Sequence, residues 1–367
     1  MELKNIIQDL MAFRTETGNI VEIKKCIAYI MGLFENVRPR MTLYEKNNLA
    51  PVLLLSNTDS QQFDVLVVGH IDVVPADGYM FKPKMENGKL YGRGALDMKS
   101  FAAVGLESLR YVIEKKLPLK FGVLLSTDEE KGSFGLDAFL KDNSDLSAKV
   151  VLDVDVAGDI GKIISKCKSP VFVKIGLVGK EAHGSTPWEG IDANEKLLMV
   201  LSKIRSFYPY YSKELPAPEN KWIDTVHFAK IAGGDVANVI SNHAEALLDF
   251  RLTEKSTIAD LRETLDKCMV DGATYTIVSH GTPVVMDENN QVIQKYKETV
   301  EEVLGYKTEF EYMGGATDSR LFADKGSVVI MHSGSGYGMH AKEEYVDFES
   351  VEQLAKIQKL FLDRHLL

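Results

Sequence analysis

Residues 63–75 read FDVLVVGHIDVVP. The run from Val65 to Gly69 is continuously apolar and rich in β-branched residues, the composition of a strand buried on both faces. It ends on His70, and Asp72 follows two residues later. An imidazole and a carboxylate at the tip of a buried strand are costly unless something there uses them. The pattern recurs along the chain. KFGVLLST (120–127) runs into Asp128, Glu129 and Glu130, and KVVL (149–152) runs into Asp153, with Asp155 two residues on. SVVIM (327–331) leads through a glycine-rich loop to His340, and the turn YGRGALDMK (91–99) sets Asp97 just before a helix.

Between these strands the apolar residues fall at helical spacing. Ile6, Ile7, Leu10 and Met11, then Ile20, Ile23, Ile27, Ile30 and Phe34, predict two opening helices. A long helix is expected over 98–115 with Ala102, Leu106, Leu109 and Ile113 inward, and another after Gly135. The fold class is therefore α/β, a mainly parallel sheet covered by helices on both faces. From Ser169 the texture changes. Val171, Val173, Ile175 and Leu177 alternate with other residues, as in a half-exposed antiparallel strand. A helix near 194–206, strands at 225–231 and 246–252, a helix at 258–269 and a strand at 274–279 complete a smaller α+β unit. A helix at 291–304, a strand at 327–331 and a helix after Glu349 resume the first pattern. The 367 residues exceed what one core usually supports. The chain reads as a main domain in two parts, 1–168 and 281–367, with an α+β domain inserted at 169–280.

Apolar content of 45% and charged content of 26% are ordinary for a globular protein. A net charge of −10 with no Lys/Arg block argues against nucleic-acid or anionic-membrane partners. The opening MELKNIIQDLMAF is amphipathic, without the apolar core of a signal peptide, and no apolar run is long enough to span a bilayer. Cys26, Cys167 and Cys268 are scattered, which suits a reducing compartment, the cytoplasm. Gly92-x-Gly94 and Gly334-x-Gly336 lack the full spacing of a nucleotide-binding loop, and no serine sits in a G-x-S-x-G elbow.

In open parallel sheets, ligands bind beyond the carboxyl ends of the strands. His70, Asp72, Asp97, Glu129, Glu130, Asp153 and His340 would gather there in a small volume. Acids so crowded repel one another unless a cation neutralises them. Mixed imidazole and carboxylate ligation suits zinc, with cobalt or manganese as substitutes. So many carboxylates balance two metals more easily than one. A bridging aspartate would hold such a pair roughly 3.5–4 Å apart, activating a water as nucleophile. Of Glu129 and Glu130, one can bind metal while the other takes the proton of that water.

These motifs resemble the zinc-dependent amidohydrolases that include acetylornithine deacetylase, succinyl-diaminopimelate desuccinylase, aminoacylase and related di- and tripeptidases. The likeness covers nearly the whole chain and implies a di-zinc, exopeptidase-like catalytic domain. GHIDVVP carries the ligand His70 and the aspartate that orients it, Asp72. GRGALDMKS carries the bridging ligand Asp97, STDEEKGSFG the general base Glu129 and the ligand Glu130, and MHAKEEYV the ligand His340. The resemblance aligns Asp153 with the remaining ligand, and Asp155 is its rival on the same face of an extended chain. Family deacylases commonly carry Glu-Pro where this chain has LDVDVAGD, and an aspartate there is closer to the peptidase branch.

In the inserted domain, GKEAHGSTPWEGIDAN resembles the segment whose histidine, here His183, reaches the partner subunit's site and steadies the oxyanion. GGDVANVIS and LLDFRL resemble segments whose Asn238 and Arg251 contact substrate, and MGGATDSRLF resembles a substrate-lining loop with Thr317 as the contact. The resemblance implies hydrolysis of small carboxylate-bearing amides, N-acyl amino acids first and short peptides second. It also implies a homodimer through the inserted domain, with a large domain closure as the other route for His183. A non-catalytic metal-binding protein would require damage to the base or a ligand, and each of these residues has the right chemical type.

Overall fold

The structure, a computed structural model, describes residues 2–46, 48–156, 158–216 and 218–364. The chain divides into two compact units. The first comprises Met1–Lys166, Met286–Met313 and Thr317–Leu367, and the second comprises Cys167–Val285 with Gly314–Ala316.

The first unit is built around the strand Gln62–His70. Its residues 65–70 are all buried. Successive side chains of a strand point to opposite faces, so both faces of the sheet are covered here. Phe121–Ser126 and Ser147–Asp153 pair with it in parallel on either side, and Val328–Met331 runs parallel to Ser147–Asp153. These four are the strands read from continuous apolar runs. The sheet as a whole is mixed, because Val52–Ser56 and then Arg40–Tyr44 add antiparallel on one side. Lys162–Cys167 joins antiparallel beside Val328–Met331. The helix Lys99–Lys115 packs on the parallel strands with Phe101, Ala102, Leu106 and Leu109 buried. Gly105 permits the close approach: a Cβ there would come within 2.8 Å of the Val67 side chain. Helices Leu3–Ala12 and Phe348–Arg364 flank this helix, and Gln291–Leu304 packs on Phe348–Arg364.

A small antiparallel sheet completes the unit, with strand order Gly336–Tyr337, Tyr345–Asp347, Lys89–Tyr91, Lys84–Glu86. Its strands are two or three residues long. They are too short to carry a periodic signal. The sheet nevertheless joins the turn before Asp97 to the loop that bears His340.

The second unit is an antiparallel sheet in the order Thr225–Gly233, His243–Leu252, Ser169–Val178, Ala273–His280. Along Ser169–Val178 buried residues alternate with more exposed ones. Val171, Val173, Ile175 and Leu177 face helices Ala193–Phe207 and Ile258–Cys268 across a core that includes Leu197, Val200, Leu248 and Phe250. Thr257 and Asp260 form a reciprocal capping box at the start of the second helix. Cys26, Cys167 and Cys268 are buried. Among the described residues, no helix is long and apolar enough to cross a membrane.

Candidate metal centre

Three parallel strands bring their chemistry to one edge. His70 closes Gln62–His70 in register with Ser126, and Val68 stands opposite Asp153. Glu129 and Glu130 therefore begin their short 3-10 turn, Glu129–Lys131, just beyond the sheet. Asp97 reaches the same edge from the turn before Lys99–Lys115, where Gly92 and Gly94 take left-handed backbone conformations. The Asp97–Met98 peptide is cis. His340 arrives on the loop leaving Gly336–Tyr337, with a left-handed backbone of its own.

The side chains meet as two groups that share one carboxylate. His70 Nε2 lies 3.1 Å from Asp97 Oδ1 and 3.5 Å from Asp155 Oδ1. His340 Nε2 lies 2.9 Å from Asp97 Oδ2 and 3.1 Å from Glu130 Oε2. Within each group the candidate ligand atoms all fall within 4.8 Å of one another. A tetrahedral set of nitrogen and oxygen donors about 2.0–2.2 Å from zinc spaces its own atoms roughly 3.3–3.6 Å apart, close to what is seen. The His70 ring is turned by its other nitrogen, for Nδ1 donates to the Asp72 carbonyl at 2.9 Å and lies 3.3 Å from Asp72 Oδ1. In the neutral ring that leaves Nε2 as the lone-pair atom. Glu130 Oε1 is buried with no hydrogen-bond partner among the described residues. An orphaned oxygen on a carboxylate that also meets the His340 imidazole suits a cation.

The electrostatics support the same fit. Burial would depress the His70 imidazole, but the charge of Asp155 and bonds to Asp155, Asp72 and Asp97 hold it well above its ordinary range. Hydrogen bonds to Asp97 and Glu130 raise His340 to about 10. Burial would push Asp97 up, yet the two imidazoles hold it below the usual carboxylate range. Burial lifts Asp155 to about 6 despite the pull of His70. Burial first, and then the charge of Asp155, pushes Glu129 well above its ordinary value. Protonated imidazoles thus balance the acids in this arrangement. Divalent cations among the same atoms would displace those protons.

The structure corrects the third strand end. Asp153 belongs to the sheet, paired with Met331, and its carboxylate points into the interior. There Oδ2 accepts from Thr317 Oγ1 at 2.5 Å and from Ser319 Oγ, and Oδ1 accepts from the Asp155 backbone N–H at 2.9 Å. The last bond closes an Asx turn, which aims Asp155 at His70. Asp155, and not Asp153, is the carboxylate in the ligand group. Thr317 is buried, and its hydroxyl donates to Asp153 Oδ2.

In the second unit, His183 and Asn238 lie together and exposed. Gly184 N–H donates to the Asn238 carbonyl at 2.8 Å, and His183 Nδ1 is 2.8 Å from Ser185 Oγ. Arg251 grips Asp249 through Nε at 2.9 Å and Nη2 at 3.0 Å, so its fork is engaged on its own strand.

Sequence reading missed a supporting shell. Glu344 accepts from the backbone N–H groups of Leu96 at 2.9 Å and Asp97 at 3.2 Å, and pairs with buried Arg93 at 2.5 Å. Thr17 bonds Asp72. Glu344 stood inside a quoted motif and Arg93 inside another, but nothing local marks two residues 251 positions apart as partners.

The family model described as Peptidase family M20/M25/M40 matches residues 66–364. The chain is 26% identical over 303 residues to a succinyl-diaminopimelate desuccinylase of Nitratiruptor, covering 79% of this chain and 81% of that one. Among solved structures, a tripeptidase from Staphylococcus aureus superimposes with a TM-score of 0.77 at 19% identity, covering 99% and 98% of the two chains. An M20 family metallo-carboxypeptidase from Sulfolobus solfataricus does so with a TM-score of 0.81 at 18% identity, covering 99% and 98%. At such identities these two structures speak for the fold alone.

Proposed function

The chain belongs to Peptidase family M20/M25/M40 and is a metal-binding hydrolase, and from that premise we propose that it is a dinuclear zinc amidohydrolase of small N-acyl amino acids. The observation that carries the reading is the pair of ligand groups joined through Asp97. His70, Asp97 and Asp155 would hold one ion, and Asp97, Glu130 and His340 the other, with cobalt or manganese as substitutes. Two such ions supply an electrophilic pull on the amide carbonyl and an acidified water.

The chain's own residues do the rest. Asp72 fixes the His70 ring. Glu129, whose proton affinity burial raises, takes the proton from the attacking water and delivers it to the departing amine. His183 of a second subunit donates to the oxyanion, and Asn238 orients the substrate. Arg251 receives the substrate carboxylate only by exchanging its bond to Asp249. A homodimer through the second unit finds support in the edge strand Thr225–Gly233 with exposed Ile231, and in exposed Leu198 and Met199.

The desuccinylase relative favours an acyl group as the part cleaved. A second reading, cleavage of di- and tripeptides, is favoured by Asp155 in place of a glutamate. Turnover of acetyl- and succinyl-amino acids beside a dipeptide set, with zinc, cobalt or manganese restored, separates the two. Glu129→Gln should abolish turnover while metal content stays near two per chain. Full activity in that variant removes Glu129 from the mechanism, and a solution mass of one chain removes the dimer.

A further inference from the structure

We propose that Thr17 is a positioning residue of this site, acting through Asp72 on both His70 and Glu129; the proposal rests on the metal-hydrolase reading above. Asp72 is fully buried, and a buried carboxylate keeps its charge and orientation only through its donors. Oδ1 accepts from the backbone N–H of Glu129 at 3.2 Å and stands 3.3 Å from His70 Nδ1, whose one proton is shared between this oxygen and the nearer Asp72 carbonyl at 2.9 Å. Oδ2 accepts from Thr17 Oγ1 at 2.7 Å, and among the described residues no other group bonds that oxygen. The Thr17 hydroxyl has a single proton. Its other neighbour, the Val73 carbonyl, stands at 3.5 Å, so the carboxylate takes it.

The hydroxyl is not free to swing. Thr17 N–H donates to the Val73 carbonyl at 3.1 Å, and Val73 N–H donates to the Thr15 carbonyl at 3.0 Å. Thr15 Oγ1 caps the Ile71 carbonyl at 2.5 Å. Residues 15–17 therefore lie along 71–73 as a short paired segment. Lys131, from the same turn as Glu129, closes the far side by donating to the Thr17 carbonyl at 3.1 Å. One hydroxyl thus pins the free oxygen of a carboxylate whose other oxygen serves a metal-facing imidazole and the backbone of the general base. Without it, the carboxylate turns about its own bond and both donors lose alignment.

The test pairs Thr17→Val, which keeps the shape and removes the donor, with Thr17→Ser, which keeps the donor. Metal-free protein is titrated with Co2+ alone, followed by visible absorption and calorimetry, and each variant is melted without metal. Outer partners of metal-bound histidines are worth roughly 10- to 100-fold in affinity. The expected result is a loss of about tenfold or more at one of two cobalt sites in T17V, with an altered absorption band, and parental binding in T17S. Parental cobalt binding in T17V overturns the proposal while leaving the metal reading intact. So does equal damage in T17S, or a T17V that does not fold, since either makes the segment merely structural. A parent chain that takes up no cobalt sinks the metal reading itself.

Discussion

Glu344→Gln tests whether the buried pair with Arg93 carries the loop that presents Asp97. Glutamine keeps an oxygen for the N–H groups of Leu96 and Asp97, but turns an amide donor toward a guanidinium that is itself all donor. The ion pair is lost and the charge of Arg93 stays buried, both partners being nearly inaccessible to solvent. Breaking such a pair from one side costs about 3–5 kcal/mol. Arg93→Met should cost a similar amount by stranding Glu344, whose carboxyl burial already pushes up. The double variant has no stranded charge, so its loss should resemble one single variant, a coupling of about 2 kcal/mol or more. Urea unfolding of the metal-free protein measures all three. Both tryptophans, Trp188 and Trp222, lie in the second unit, so far-UV circular dichroism is the probe. Single variants that each cost under about 1 kcal/mol and simply add would refute the reasoning, and with it the claim that this pair fixes Asp97.

Two further outcomes are expected. Asp155→Asn should remove a charged ligand and weaken cobalt binding at one site by well over about tenfold, whereas Asp153→Asn should weaken it less, since its amide oxygen can still close the turn and only the acceptor for Thr317 and Ser319 is lost; equal damage, measured by cobalt titration, would reopen the assignment. Buried His332, bonded to Tyr296 Oη at 3.0 Å and to the Ile160 carbonyl at 2.9 Å, is depressed by burial to about 4. The unfolded chain binds the extra proton, so His332 leaves stability intact above its unfolded pKa near 6.5 and withdraws about 3 kcal/mol as pH falls from there towards about 4. Metal-free His332→Gln should show a flatter decline in urea midpoint over that window, and an unchanged slope would refute the assignment.

Much of the main sheet was legible because buried parallel strands are written as continuous apolar runs, and each such run here ends in acids or a histidine. The antiparallel flanks Arg40–Tyr44 and Lys162–Cys167 were not. Arg40–Tyr44 is mostly exposed, and Lys162–Cys167 begins and nearly ends on lysine. Such composition does not separate a strand from a loop. The small sheet was invisible for lack of length. Among the site residues, His70, Asp97, Glu130 and His340 stand in short motifs whose chemistry is local. Asp153 and Asp155 stand two residues apart at one strand end, and the sequence favours Asp153, the first acid after KVVL, with Asp155 as its rival.

The sequence by itself determined the parallel strands, the helices that cover them and the motifs that bring His70, Asp97, Glu130 and His340 to the carboxyl edge of the sheet, because periodicity and strand-end chemistry are properties of neighbouring residues. Only the tertiary structure decided which aspartate turns toward His70, that Thr317 bonds Asp153, that Thr17 bonds Asp72, and that Glu344 joins Arg93 to the backbone of Leu96 and Asp97. Each of those outcomes depends on donors from distant parts of the chain. A carboxylate follows whichever buried N–H and O–H groups the fold sets beside it.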